Sequence, residues 1–225
     1  IAHDFNNILT GIMGNISLAK LDTPKERKSW TYLGEAEKAV MRAQTLTRQL
    51  LSFSRGSAPV KEPIDGGALL EDAVATFLTS KFADVRIDRK GELPFISADK
   101  GQVSQALINI LTNAFEATDG KGTITASAET IVLDEHNSYG IRKGEYIRYT
   151  VSDNGPGISD ENMAKLFDPF FTTKHNGNGL GLTTAFTMIK RHGGIIMARS
   201  TGEGAAFEIV IPSCERPKQE SARTE

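Results

Sequence analysis

Asp153-Asn154-Gly155-Pro156-Gly157 and Gly177-Asn178-Gly179-Leu180-Gly181-Leu182 decide how this chain is read. Each is a cluster of glycines that lets backbone approach a ligand closely. The first follows an alternating, strand-like run, Tyr146 to Val151. The second opens a helix-like run, Thr183 to His192. Glycines at a helix entrance leave backbone N–H groups facing outward, which suits phosphate oxygens. One such loop is an ordinary turn. Two of them, the first led by a carboxylate, point to a nucleotide pocket.

Around these loops, composition sets bounds. The chain has 225 residues, 39% hydrophobic and 24% charged, enough for one large or two modest domains of an ordinary soluble protein. A net charge of −2 gives no reason to expect nucleic acid or an anionic membrane as partner. Cys214 is the only cysteine, which excludes an intrachain disulfide and a cysteine-based zinc site. No apolar run approaches the roughly 20 residues of a membrane span. The chain starts abruptly at Ile1-Ala2-His3, so it reads as a cytoplasmic piece of something longer, with any membrane anchor upstream.

Residues 1–55 read as a helical hairpin. Ile1, Phe5, Ile8, Ile12 and Ile16 recur at helical spacing, Asp22-Thr23-Pro24 supplies a turn, and a second helix runs from about Lys25 to Ser54. Its stripe is Leu33, Ala36, Val40, Ala43, Thr47 and Leu50. Two helices bury little, so a homodimer forming a four-helix bundle is the expected completion. Residues 56–59 read as a linker, 60–212 as a second domain and 213–225 as a polar, disordered tail. In the second domain the predicted elements mix without strict alternation. Strands are expected at Val60–Ile64, Val85–Asp88, Phe95–Ser97, Thr123–Leu133, Tyr146–Ser152, Ile195–Ser200 and Ala206–Ile211. Helices are expected at Gly66–Phe82, after Asp99, and at Thr183–His192. The fold class is therefore α plus α/β: a hairpin followed by an α/β sandwich.

On the first helix, His3 and Asn7 fall on the side opposite the isoleucine stripe. A neutral imidazole is a nucleophile, and Asp4 beside it is placed to orient the ring and take a proton. Asn7, one turn on, is placed to hold a water or a phosphoryl oxygen. In the second domain Asn109 and Asn113 sit one turn apart on an otherwise apolar helix. Their carbonyls suit Mg²⁺, which accepts a few neutral oxygens when phosphates bring the negative charge. Helix capping or plain surface exposure is the bland alternative. Asp153 is placed to accept a hydrogen bond from the exocyclic amine of adenine, which favours ATP over GTP, or simply to close an Asx turn. Phe167-Asp168-Pro169-Phe170-Phe171-Thr172-Thr173-Lys174-His175-Asn176 reads as a mobile lid on an aromatic anchor, with Lys174 a phosphate contact.

The order of these motifs resembles the catalytic core of a two-component sensor histidine kinase over residues 1 to about 212. Ala2 to Asn7 is similar to the phosphoacceptor box, and Gln105 to Ala117 to the N box. Asp153 to Gly157, Phe167 to Phe171, Gly177 to Leu182 and Gly202-Glu203-Gly204 are similar to the G1, F, G2 and third glycine boxes. The resemblance implies an ATP-binding sandwich of the histidine-kinase and gyrase type. It implies that His3 accepts the γ-phosphoryl group, Asp4 acts as base, Asn7 assists dephosphorylation of the partner, and Asn113 with Asn109 holds Mg²⁺. The nucleotide set it implies is Asn109, Asn113, Asp153, Gly155, Gly157, Ile158, Phe170, Thr172, Thr173, Lys174, Gly177, Asn178, Gly179, Leu180, Gly181 and Leu182. The onward acceptor it implies is an aspartate of a response-regulator receiver domain.

The pattern departs in two places. Glu116 stands where many relatives carry a basic residue, and Ala205-Ala206 stand where the third glycine box often has threonine. Phosphate neutralisation then leans on Mg²⁺, Lys174 and backbone N–H groups. The rival enzyme reading is an ATPase of the gyrase or chaperone kind. Those place a glutamate where this chain has Asn109, and an amide cannot take a proton from water. A non-catalytic, ATP-sensing dimeric scaffold is the third reading; intact His3, Asp4 and Asn113 weigh against it.

Overall fold

The computed structural model describes residues 2–54, 58–174 and 177–217, with the side chains of 2–6, 42, 44–54 and 201 outside that description. The chain divides into two compact units, Ile1–Ser57 and Ala58–Glu225.

The first unit is a helical hairpin, α1 (Ala2–Leu21) and α2 (Lys28–Ser54). The second helix starts three residues later than its pattern predicts. Pro24 to Arg27 form a turn instead, with Arg27 N–H donating to Pro24 O at 3.1 Å and Trp30 N–H to Arg27 O at 2.9 Å. Val40 of α2 is buried. Lys20 pairs with Glu37 across the hairpin and lies over the Trp30 ring.

The second unit is a seven-stranded mixed sheet covered on one face by helices. Its elements are β1 (Glu62–Asp65), α3 (Gly66–Ser80), β2 (Asp84–Lys90), β3 (Phe95–Ala98), α4 (Lys100–Ala117), β4 (Thr123–Leu133), β5 (Gly144–Asp153), α5 (Asp160–Met163), α6 (Gly181–Arg191), β6 (Ile195–Thr201) and β7 (Gly204–Cys214). The sheet order is β1-β3-β7-β5-β4-β2, with β6 also paired to β7; among the described strands only β2–β4 pair in parallel. Alternation explains the layering. Ile147, Tyr149 and Val151 of β5 and Phe207, Ile209 and Ile211 of β7 join Leu107, Ile110 and Leu111 of α4 in one core.

The other face carries a smaller cluster. Arg148 donates to Glu129 at 2.7 Å and to the Tyr139 hydroxyl at 2.9 Å, while Tyr139 donates to buried Glu208 at 3.1 Å. This ties the polar 134–143 connection across the sheet.

Strand β7 runs to Cys214, so Ser213 and Cys214 are strand residues where the polar composition predicts a disordered tail. Their pairing with Ile96 and Phe95 supplies the reason: the β3 edge offers ladder partners. Residues 218–225 lie outside the described residues.

Candidate functional site

Helix α4 is the spine of the site. Asp99 caps it, its carboxylate accepting the N–H of Gln102 at 3.1 Å and of Val60 at 3.2 Å. Val103, Ala106, Leu107, Ile110, Leu111 and Ala114 bury its apolar face. The spacing of Asn109, Asn113 and Glu116 puts them together on the remaining flank. Each loop singled out in the sequence meets that flank or its end.

Asn109 Nδ2 donates to Gly181 O at 3.0 Å, and Asn109 Oδ1 accepts from Gln105 Nε2 at 2.9 Å. The second glycine loop is thereby fastened to α4 where α6 begins. Helix α6 starts at Gly181, two residues before the predicted start, and buries Leu180, Thr183, Ala185 and Ile189. Leu182 packs partly buried on the main core. Asn178 Oδ1 accepts from Leu180 N–H at 3.2 Å.

The connecting segment folds back on itself. Phe170 N–H donates to Gly179 O at 3.0 Å and Thr183 Oγ1 to Phe167 O at 3.1 Å. Gly179 has φ of 63°, and a Cβ there would overlap the Phe170 carbonyl group. Phe170 is itself left-handed, φ 68°, with an exposed ring. A bulky residue rarely adopts that conformation. Thr172 Oγ1 accepts from Lys174 N–H at 3.1 Å, Gly177 N–H donates to Lys174 O at 3.2 Å, and Thr173 is exposed. Lys174 Nζ reaches α4, donating to Asn113 Oδ1 at 2.6 Å and Glu116 Oε2 at 2.7 Å.

The first glycine loop sits at the C-terminal end of α4. Asp153 is only 8% exposed, and its Oδ1 accepts from Gly155 N–H at 2.9 Å. The Asx turn therefore forms, and it leaves a second carboxylate oxygen on a nearly buried group. Gly204, φ 140°, lets β7 pass so close that a Cβ would overlap the Asp153 carbonyl oxygen. Gly157 has φ of 75°. Ile158 N–H donates to Ser200 Oγ at 2.8 Å.

One buried residue of the site carries no motif. His192, 3% exposed, ends α6. Its Nδ1 lies 2.7 Å from Met188 O, and its Nε2 accepts from Asp99 N–H at 3.0 Å. These contacts require a neutral ring with the proton on Nδ1. Burial lowers its pKa below the ordinary value, with Lys61 acting the same way and the Met188 carbonyl and Asp99 opposing. His192 thus clamps the end of α6 to the start of α4. The spacing Ala185, Ile189, His192 is the sequence signal for it.

On the hairpin, His3, Asp4 and Asn7 lie on continuous helix α1, so His3 and Asn7 occupy successive turns. The side chains of His3 and Asp4 lie outside the described residues, and Asn7 is exposed.

The donor set fits a hard cation brought in with phosphates. Asn113 Oδ1 already holds a cationic group, the Lys174 ammonium. Among the described residues, no cluster of three or more His, Cys, Asp or Glu is arranged to hold a metal alone. A polar cavity of about 510 Å³ near Arg89, Phe95 and Cys214 shares none of these residues.

Two family models match the chain. Residues 1–59 match the His Kinase A phospho-acceptor domain, and 98–215 match the histidine kinase-, DNA gyrase B- and HSP90-like ATPase. Sensor kinase CckA of Brucella abortus is 34% identical over 220 residues, covering 94% of this chain and 23% of the relative. The chain spans 23% to 48% of the length of the leading curated relatives. Full-length ShkA in complex with AMPPNP superposes with TM-score 0.72 at 25% identity, covering 96% of this chain and 45% of that one. ThkA in complex with the response regulator protein TrrA superposes with TM-score 0.65 at 26% identity, covering 95% of this chain and 60% of that one.

Proposed function

This chain belongs to the two-component histidine kinases, and from that premise we propose that it transfers the γ-phosphoryl group of ATP to His3 and onward to an aspartate of a receiver domain. The observation that carries the reading is the convergence on α4. Its flank residues Asn109, Asn113 and Glu116 meet Gly181 of one glycine loop and Lys174 of the intervening segment, while its end abuts the other glycine loop.

In this reading the free oxygen of Asp153 receives the adenine amine. Backbone N–H groups of the two glycine loops, with Lys174, Thr172 and Thr173, receive phosphate oxygens. Asn113 Oδ1 is the first protein donor to Mg²⁺ and Asn109 Oδ1 the second. Held there, the metal would supply charge neutralisation to the phosphates. On α1, Asp4 takes the His3 proton as the imidazole attacks. Asn7, one turn on, serves the reverse step by orienting water against the phosphorylated receiver. Transfer is favoured over hydrolysis because Asn109 stands where a water-activating carboxylate is needed. Its amide is held by Gln105 and Gly181 and cannot act as a base.

The hairpin is proposed to form a homodimer, supported by exposed Ile8, Ile12, Leu18 and Leu21 on α1. A receiver domain as onward acceptor is supported by the response-regulator complex of ThkA. No described helix is long and apolar enough to cross a membrane. We assign this part of the protein to the cytoplasmic side, where ATP is.

The test is incubation with γ-labelled ATP. Acid-labile label that disappears in His3→Gln supports the kinase. Labelled phosphate released with no labelled protein supports the ATPase, and binding with neither supports a scaffold. In Asn7→Ala, unchanged dephosphorylation of a labelled receiver removes that residue's assigned role.

A further inference from the structure

Lys174 is not extended into solvent. Its ammonium is shared between Asn113 Oδ1 and Glu116 Oε2, at 2.6 and 2.7 Å. Asn113 and Glu116 lie on successive turns of one helix, so a single cation bridges both. The lysine backbone is fixed as well, through Thr172 Oγ1 and Gly177 N–H.

An ammonium on a carbonyl oxygen is a cation on that donor. Mg²⁺ takes oxygen ligands at about 2.0–2.1 Å. A metal on Asn113 Oδ1 and the Lys174 ammonium on the same atom would bring like charges within a few ångströms of each other. The two occupancies compete. Phosphate oxygens offer Lys174 an alternative anionic partner, so the ammonium exchanges Glu116 for the nucleotide. We propose that Glu116 is a positioning residue that latches Lys174 onto Asn113, making the lysine a resident cation that metal-bound nucleotide must displace. This rests on reading Asn113 as the metal donor. It also gives the acidic residue at this N-box position a purpose.

The latch is releasable. The side chains are 33% exposed for Lys174 and 46% for Glu116, so solvent screens the pair. A pair of that kind shifts an equilibrium by up to about fivefold. Apparent nucleotide affinity falls by the fraction of molecules latched.

Glu116 also repels a triphosphate simply by its charge, and the experiment separates the two effects. Binding of a non-hydrolysable ATP analogue with Mg²⁺ is measured calorimetrically on the whole chain. The four proteins are wild type, Glu116→Gln, Lys174→Met and the double variant, each first checked for an unchanged circular dichroism melt. The latch requires Glu116→Gln to tighten binding by up to about fivefold when Lys174 is present. In the Lys174→Met background the same change shifts Kd by less than about twofold. Equal tightening in both backgrounds overturns the latch in favour of plain repulsion. Unchanged or weaker binding in Glu116→Gln overturns it too. Wild-type protein that binds no nucleotide removes the nucleotide reading itself, a different failure from loss of coupling.

Discussion

The proposed function gives Asp153 two tasks. One carboxylate oxygen holds Gly155 N–H at 2.9 Å and shapes the loop. The other, on a residue 8% exposed, takes the amine of the base in the proposed reading. Asp153→Asn separates the tasks, because the amide oxygen still closes the turn while its NH₂ faces the adenine amine donor to donor. Affinity for an ATP analogue is expected to fall about 10- to 100-fold, the worth of a charge-assisted hydrogen bond. The unfolding midpoint should scarcely move; calorimetry and a thermal melt check both. Wild-type affinity in the variant would remove Asp153 from base recognition. His192 gives a pH prediction. In the unfolded chain a histidine titrates near pH 6.5, and in the fold burial pulls it lower. Between those values the unfolded chain binds more protons, so stability rises with pH there. The contribution is full above about pH 6.5 and is lost as pH falls toward the folded value. An NMR titration of the ring, with denaturant midpoints of the α/β unit at pH 7.5 and 5.5, checks the shift and its sign. A ring titrating at or above 6.5 defeats it. Asp153 was legible because a glycine loop announces it. His192 was not, because its partner Asp99 is far away in sequence and only helical spacing hints at burial. The Lys174 bridge to Asn113 and Glu116 was equally hidden, since a loop lysine has no periodicity to place it.

Helix α4 shows which elements a sequence declares. Its apolar character, its start after Asp99 and its two asparagines are all readable from sequence. Strand β4 has the predicted bounds, Thr123–Leu133, because a long alternating run leaves one register for its buried face. Strand β7, Gly204–Cys214, extends past its predicted bounds at both ends. Gly204 and Ala205 lack side chains that advertise a strand, and Ser213 and Cys214 are ordered by the β3 edge. Four-residue α5 is too short to show a helical period; it is a single turn capped by Ser159. The cap of α4 carries a stability prediction. Asp99 accepts two backbone N–H groups through its carboxylate, and its own N–H is taken by His192. Asp99→Ala abolishes the first two bonds and keeps the third, so it should cost about 1–2 kcal/mol. Asp99→Ser should recover most of the loss. Denaturant unfolding of the three proteins by circular dichroism decides, and an alanine variant as stable as wild type would show the cap to be idle.

At the scale of the molecule, the two units differ in how completely they bury themselves. The α/β unit closes around a continuous core. The hairpin leaves Ile8 59% and Ile12 43% exposed, with Leu18 and Leu21 also open, while Val40 is its buried aliphatic among the residues described. Isoleucines at helical spacing on an exposed face need a partner surface, and a second copy offers the identical stripe in a symmetric bundle. A change on that face acts twice, once per protomer. Fully burying an isoleucine contributes about 1.5–3 kcal/mol, and partial exposure within the hairpin lowers that per side chain. Ile12→Glu replaces two such side chains by charges facing each other across the symmetry axis. The dimer dissociation constant should therefore rise at least about a hundredfold. Sedimentation velocity across a dilution series measures it. Every residue of the proposed nucleotide set belongs to the α/β unit, so the monomeric variant should bind the ATP analogue as wild type does. Wild-type protein that sediments as a monomer at tens of micromolar, or an Ile12→Glu variant with unchanged assembly, would move the dimer contact off this face. Lost nucleotide binding in a folded variant would mean that pairing of the hairpins also shapes the pocket.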